Sequence, residues 1–192
     1  APSLTLDEYT PDPTKETVLD YTGDASDNDQ SGIDSVQFMI AGISGYEDVD
    51  SYNETTGEIE FTVTGLASDG DYTIWLKAVD VAGNESTDSD IVTIDRTGPT
   101  LTIDAPTSYT WHNANVQIDW TVSGDAIGSE GVCSWTTFDD ITTTFTVHDD
   151  DIFTSEGTYT ITAVAWDALY NYSEADDVEF SRNYTQRIQA VT

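Results

Sequence analysis

The sequence has 192 residues, of which 37 are acidic and 5 are basic, so its formal net charge is −32. Nucleic acid and anionic membrane surfaces are bound through clusters of Lys and Arg, and this balance therefore argues against both as partners. Hydrophobic residues make up 38% of the chain and aromatic residues 11%, which is enough to fill packed cores.

Strand signals run through the first half of the chain. Apolar positions alternate, Thr, Val, Ile and Tyr are frequent, and turn residues recur about every ten positions. In the run from 72 to 78, the residues Tyr72, Ile74, Leu76 and Ala78 share one face and are expected in the core. The strands predicted here are 3–8, 15–22, 33–41, 57–64, 71–80 and 89–95, with an edge strand at 46–52.

The sequence then repeats itself, which indicates two related domains. Gly70-Asp71-Tyr72-Thr73-Ile74 returns as Gly157-Thr158-Tyr159-Thr160-Ile161, and Pro2–Asp7 returns as Pro99–Asp104. Gly98 and Pro99 punctuate the join, so we predict domains at 1–97 and 98–192 with a short, semi-rigid connection. The strands predicted for the second half are 99–105, 115–123, 131–138, 142–148, 157–167 and 176–182.

The turn before each repeated Tyr indicates how the strands connect. Tyr72 and Tyr159 stand where a tyrosine corner places its ring, with the hydroxyl bonded to backbone a few residues upstream. If these corners join strands E and F, the order of strands A to G follows. We therefore predict an all-β protein made of two tandem Ig-like antiparallel Greek-key β-sandwiches.

Three segments carry a family resemblance. The runs Asp71–Ser86 and Ile94–Pro99, together with the Ser-Gly-Ile segment in Asp27–Ile33, closely resemble the bacterial Ig-like repeats of giant surface adhesins and multimodular secreted proteins. The second half matches less well, since it reads Leu169-Tyr170 where the pattern has Ala-Gly. The resemblance implies extracellular extender or ligand-presenting modules, some of them stiffened by calcium.

Calcium is also suggested by the residues themselves, because it binds carboxylate and amide oxygens. The B–C and F–G loops of such a sandwich lie at the same end, so we expect Asp24, Asp27 and Asp29 in one loop to face Asp80 and Asn84 in the other. In the second domain, an ion near the linker would brace the junction between the domains. The alternative is that Asp and Asn simply favour turns, and adaptation to high salt would also explain the acidity. The candidate calcium ligands are Asp24, Asp27, Asp29, Asp80, Asn84, Asp95, Asp125, Asp167 and Asn171.

Catalysis finds little support in the sequence. His112 and His148 stand alone, and no nucleophile, base and carboxylate pattern surrounds them. Cys133 is the only cysteine and is expected in the core, so no disulfide forms within the chain. No stretch reaches the roughly 20 apolar residues of a membrane-spanning helix. We predict a non-enzymatic protein without direct membrane insertion.

Three functions remain open from the sequence. The first is a structural or adhesive extender pair whose partners are neighbouring domains or copies of the same surface protein. The second is a self-assembling filament or surface-layer subunit that exchanges strands through the tail 183–192. The third is a carbohydrate-binding accessory module with glycan partners, in which Trp75 and Trp166 face away from the core.

Overall fold

The computed structural model describes residues 1–27, 31–137 and 139–183. The chain divides into two compact units, Ala1–Arg96 and Thr97–Thr192. All of the regular structure in the described residues is β-strand. The all-β prediction is confirmed, and each unit is a sandwich of mainly antiparallel sheets with its own hydrophobic core.

The first unit contains eight strands in two four-stranded sheets. One sheet has the order β1-β2-β6-β5 and the other the order β4-β3-β7-β8, and all of the paired strands are antiparallel. The predicted edge strand at 46–52 is two short strands, one in each sheet. The strands are β1 Ser3–Leu6, β2 Leu19–Ser26, β3 Ile33–Ile40, β4 Glu47–Asp48, β5 Ser51–Tyr52, β6 Glu58–Val63, β7 Gly70–Asp80 and β8 Glu85–Ile94.

Strand β2 corrects the prediction for 15–22, which was wrong by several residues at both ends. Leu19, Tyr21, Gly23 and Ala25 alternate as buried positions, so the strand continues to Ser26. A Cβ on Gly23 would lie 2.5 Å from the carbonyl oxygen of Thr5, so this close approach to β1 requires glycine. Gly23 therefore lets β1 and β2 pack closely without ending the strand.

The second unit contains nine strands. The large sheet has the order β10-β17-β16-β13-β14, and it faces two separate two-stranded pairs, β12-β9 and β11-β15. The short strands β10 and β15 were not predicted. The strands are β9 Thr100–Ala105, β10 Thr110–His112, β11 Val116–Gln117, β12 Asp119–Ser123, β13 Gly128–Thr136, β14 Thr142–Val147, β15 Ile152–Phe153, β16 Gly157–Trp166 and β17 Asp176–Arg182.

The cores follow the predicted alternation. Ile74, Leu76 and Ala78 are fully buried in the first unit, and Tyr72 packs partly buried against them. Tyr159, Ile161, Ala163 and Ala165 are buried in the second, together with Cys133. Burying a Leu, Ile or Phe side chain contributes about 2 kcal/mol, so these alternating sets supply much of each domain's stability.

Both tyrosine corners are present. The Tyr72 hydroxyl donates to the carbonyl oxygen of Ser68 at 2.8 Å, and the Tyr159 hydroxyl donates to that of Ser155 at 2.7 Å. Each hydroxyl therefore fixes the turn that leads into the central strand of its large sheet.

An arginine at or just beyond the end of the last strand supports the turn at the tyrosine corner in both units. Arg96 donates from Nη2 to the carbonyl oxygen of Leu66 at 3.0 Å. Arg182 is buried, and it donates to the carbonyl oxygens of Thr154 and Ala114. Its Nη2 also lies 3.1 Å from the side-chain oxygen of Asn115. Two of the five basic residues of the chain therefore hold backbone carbonyls around the corners.

We expect Arg182→Met to destabilise the second domain by about 2–4 kcal/mol, because the carbonyl groups of Ala114 and Thr154 and the side chain of Asn115 all lose the donor that the buried Arg182 supplies. Arg96→Met is the matched control and should cost about 1 kcal/mol, since Arg96 is only partly buried. Urea unfolding followed by tryptophan fluorescence measures both variants. Equal stability of Arg182→Met and the parent chain would contradict this assignment.

Candidate functional site

The loop after β7 is closed by a buried aspartate. Asp80 ends this strand, and its two carboxylate oxygens accept hydrogen bonds from the backbone N–H of Asn84 at 2.8 Å and from its Nδ2 at 2.7 Å. The amino group of Ala1 lies 4.0 Å from Oδ2. The side-chain hydrogen bond from Asn84, followed by its backbone hydrogen bond, lowers the pKa of Asp80 below its ordinary value, and burial opposes this shift.

The second domain repeats this arrangement after β16. Asp167 is 1% exposed. Its Oδ1 accepts from the backbone N–H of Asn171 at 2.9 Å and from that of Leu169 at 2.8 Å. Its Oδ2 accepts from Nδ2 of Asn171 at 2.9 Å. Aspartate followed four residues later by asparagine is therefore a loop-closing pair in both domains, which is the turn chemistry expected of these residue types.

The other candidates of the first domain lie in β2 and in the loop between β2 and β3. Asp24 is an exposed residue of β2, so its predicted place in the B–C loop was wrong. Asp27 does lie in that loop, where its Oδ2 accepts from Ser31 at 2.7 Å and from the N–H of Gly32 at 2.9 Å. Asp29 falls outside the described residues. Within the described part of this unit, no three His, Cys, Asp or Glu side chains bring ligand atoms within 4.8 Å of one another.

The second domain brings two of its candidates together. Asp125 is exposed in the loop after β12, and its carboxylate lies within 4.8 Å of that of Asp167. The B–C and F–G loops therefore meet at one end of this sandwich. Such a pair of carboxylates offers the oxygen atoms that calcium prefers, although Asp167 already accepts several hydrogen bonds. Asp95 is the last residue but one of the first unit, and its role as a ligand stays a prediction.

The histidines sit in a strand and in a turn. His112 accepts or donates one hydrogen bond with the Thr110 hydroxyl at 2.8 Å, and its ring packs edge-on against Phe180. His148 is exposed and lies 3.8 Å from the carboxylate of Asp151, in the turn formed by the acidic run 149–151.

The tryptophans divide between the core and the outer surface. Trp120 is buried, and Trp135 is half-buried on the inner face with its Nε1 donating to the carbonyl oxygen of Glu156 at 3.2 Å. Trp75 and Trp166 are half-buried on outward-facing positions, as the alternation predicted, and Trp111 is 63% exposed.

Comparison with known proteins bears on the first domain most directly. Residues 9–96 match the sequence profile of the bacterial Ig-like domain family. The first domain is a bacterial Ig-like domain. Domains of this family are typically non-catalytic, and the resemblance inferred from the sequence motifs is confirmed. None of the described residues forms a helix that is long and apolar enough to span a bilayer.

One related protein and two solved structures align with most of the chain. Chitinase A1 of Niallia circulans is 32% identical over 146 residues, an alignment that covers 71% of this chain and 21% of the chitinase, so the chain spans about a fifth of that relative. A solved structure from a 1.5-MDa bacterial ice-binding adhesin aligns with a TM-score of 0.53 and 17% identity, covering 95% of this chain and 65% of the other. The fibronectin(III)-like modules of Clostridium thermocellum CbhA align with a TM-score of 0.35 and 20% identity, covering 94% of each chain.

We expect Asp80→Asn to lower the urea midpoint of the bacterial Ig-like domain at neutral pH, because a second amide cannot accept both hydrogen bonds from Asn84. The folded state holds the pKa of Asp80 below its ordinary value of 3.8, so its stabilising effect is present above that pH and is lost as the pH falls through the lowered pKa. The difference between the variant and the parent chain should therefore shrink only in strong acid. Asp34→Asn, an exposed change in β3, is the control, and an equal effect of both substitutions would refute the role of Asp80.

Proposed function

We propose that this chain is a non-catalytic structural and adhesive module, an extender pair within a secreted or cell-surface protein. The observation that carries this proposal is the parallel pairing, in each sandwich, of a segment that follows the first strand with the last strand. Because of this pairing, a force that pulls on the two ends of a domain loads several backbone hydrogen bonds at the same time.

In the first domain this pairing lies between Thr14 and the end of β8. The N–H of Thr14 donates to the carbonyl oxygen of Thr93 at 2.9 Å, and the N–H of Asp95 donates to the carbonyl oxygen of Thr14 at 2.9 Å. Thr14 is 2% exposed, so water does not compete for these bonds. The contact joins the segment that enters the domain to the strand that leaves it.

The second domain uses a longer version of the same contact. Strand β10 pairs in parallel with β17 over three residues, from Thr110 opposite Phe180 to His112 opposite Arg182. The N–H of Asn183 also donates to the carbonyl oxygen of His112 at 2.9 Å. When parallel strands are pulled from opposite ends, their hydrogen bonds are sheared together and not opened one by one. Each sandwich is therefore built to resist extension, which is what a spacer under tension requires.

The comparisons agree with an extender role at the level of the fold. The structure with the TM-score of 0.53 comes from a 1.5-MDa bacterial ice-binding adhesin. Adhesins and secreted multimodular enzymes act outside the cell, and we propose the same location for this chain. The partners that follow are neighbouring domains and copies of the same surface protein.

We expect Thr14→Pro to lower the unfolding force of the first domain in single-molecule pulling, because proline removes the N–H that bonds Thr93. Thr14→Val is the matched control, since it keeps this donor and a similar shape. The second domain serves as an internal reference, and its unfolding force should stay the same. An unchanged force for Thr14→Pro would reject the parallel contact as the element that resists extension.

Calcium binding is a further part of the proposed function. The adjacent carboxylates of Asp125 and Asp167 support it, because a divalent cation would relieve their mutual repulsion in a chain with a net charge of −32. Asn171 offers a nearby amide oxygen, while the Asp27 and Asp80 region is the corresponding candidate in the first domain. Adaptation to high salt is the competing explanation of the acidity.

We expect calcium to raise the thermal midpoint of the chain above its value in EDTA at matched ionic strength, because an ion that binds only the folded state stabilises it. Equal magnesium should have a smaller effect, and Asp125→Asn should remove the calcium-specific rise. Asp119→Asn, an exposed change in β12, is the control. Asp95→Asn tests the remaining predicted ligand. Identical midpoints in calcium, magnesium and sodium would assign the acidity to salt adaptation.

A second candidate function is favoured by the chitinase relative, namely a carbohydrate-binding accessory module. Trp75, Trp166 and the exposed Trp111 offer flat aromatic faces of the kind that suits sugar rings. Calorimetric titration with chitin oligosaccharides separates this candidate from the extender role, because a pure spacer gives no binding heat.

A further inference from the structure

The outer strand of the large sheet in the second domain has an unusual surface. Strand β14 pairs only with β13 among the described strands, and five of its six residues are exposed. Its sequence Thr142-Thr143-Thr144-Phe145-Thr146-Val147 contains no charged residue and no proline. Edge strands are normally protected by charge, proline or shortness, since their free backbone groups can pair with another chain.

Three edge strands of the first domain, β4, β5 and β8, are protected by charge or by shortness. Strand β4 is the acidic pair Glu47–Asp48, and β5 has only two residues. Strand β8 carries Asp88 and Asp90, whose carboxylates accept hydrogen bonds from the backbone N–H groups of Leu6 and Tyr9. Strand β14 thus differs from the edges of its sister domain.

The hydrogen-bond phase of β14 shows which backbone groups are free. The N–H of Thr137 donates to the carbonyl oxygen of Ile141 at 2.9 Å, so the backbone groups of Ile141 point toward the chain of β13. In an antiparallel strand, the backbone groups of successive residues point alternately toward the paired strand and away from it. The backbone groups of Thr142, Thr144 and Thr146 therefore point away from β13 toward an open edge.

The inner face beside this edge is also incompletely covered. In the first domain, β5 extends the sheet that faces β3, whereas the described strands opposite β14 end at the two-residue strand β15. Phe145 remains 38% exposed on the inner side, opposite the buried Cys133, and Ile152 is 59% exposed. A groove of about 310 Å³ runs here between Trp135, Phe145, Phe153 and Tyr159.

We propose that β14 accepts an added strand, and that the added strand is the segment 184–192 of a second copy of this chain. This segment has one Arg and no acidic residue, although 37 of the 192 residues are Asp or Glu. Acidic residues flank the edge at both ends, at Asp139 and Asp140 and in the run 149–151. The charge of the segment therefore complements the site, and its alternating Tyr184, Ile188 and Ala190 suit the apolar groove.

The geometry favours a second copy over the segment of the same chain. Strand β17 is separated from β14 by β16 and β13, so a strand added outside β14 lies four spacings, roughly 19 Å, from β17. Crossing that distance takes about six residues at 3.3 Å each, which leaves about three of the segment to pair. A segment from another copy uses its full length. This inference concerns the second domain's surface and does not depend on the extender role.

The test is self-association of the full chain by sedimentation velocity over a wide range of concentration. We expect reversible association that a synthetic peptide of residues 184–192 competes away. Thr144→Pro should weaken association by at least about tenfold, because it removes an outward N–H while leaving the bonds between β13 and β14 intact. Thr144→Val keeps this N–H and should associate like the parent chain. Arg187→Glu should weaken association through repulsion at the acidic ends.

Hydrogen exchange locates the contact. The amides of Thr142, Thr144 and Thr146 should become protected as the concentration rises, and Thr144→Pro should keep the native tryptophan spectrum. A chain that stays monomeric and does not bind the peptide would overturn the proposal, as would equal association of Thr144→Pro and Thr144→Val. Protection of these amides that is independent of concentration would assign the site to the same chain's own segment and overturn the second copy as occupant.

Discussion

Burial of alternate side chains along one central strand is the constraint on which the rest of each domain depends. Strands β7 and β16 each pair on both sides, and their inward residues form the middle of the two cores. A tyrosine corner fixes the turn before each strand, and an aspartate closes the loop after it. The position of both loops is therefore set by a strand that cannot shift by one residue without exposing its core face.

The same constraint explains which features the sequence predicts well. The alternation in β7 and β16 is long and strict, so their inward faces and both tyrosine corners follow from the residues alone. Strand β2 was misplaced because Gly23 and Ala25 look like turn residues, and only the approach of β1 makes small side chains necessary there. Strands β10 and β15 have only three and two residues. They form because they pair with neighbouring strands, more than because of the strand preference of their own residues.

The candidate calcium ligands show a different limit of prediction from sequence. Asp80 and Asp167 were singled out as calcium ligands, and the structure gives each of them hydrogen bonds from an asparagine four residues later. Aspartate serves as a metal ligand and as a loop acceptor with the same oxygen atoms, so residue type alone does not separate these uses. The supporting roles of Arg96 and Arg182 were missed, because nothing in a lone basic residue indicates which distant carbonyl group it will meet.

The buried thiol of Cys133 has a consequence for how the second domain reports its own opening. Burial raises the pKa of this thiol to about 12, so almost none of the reactive thiolate exists at neutral pH, and the surrounding core blocks reagents. Oxidation to an intermolecular disulfide is suppressed for as long as the core stays closed. Because the chain holds no other cysteine, a thiol reagent reacts with it at this single sulfur atom. The rate of that reaction therefore measures how often this sandwich opens, and no added label is needed.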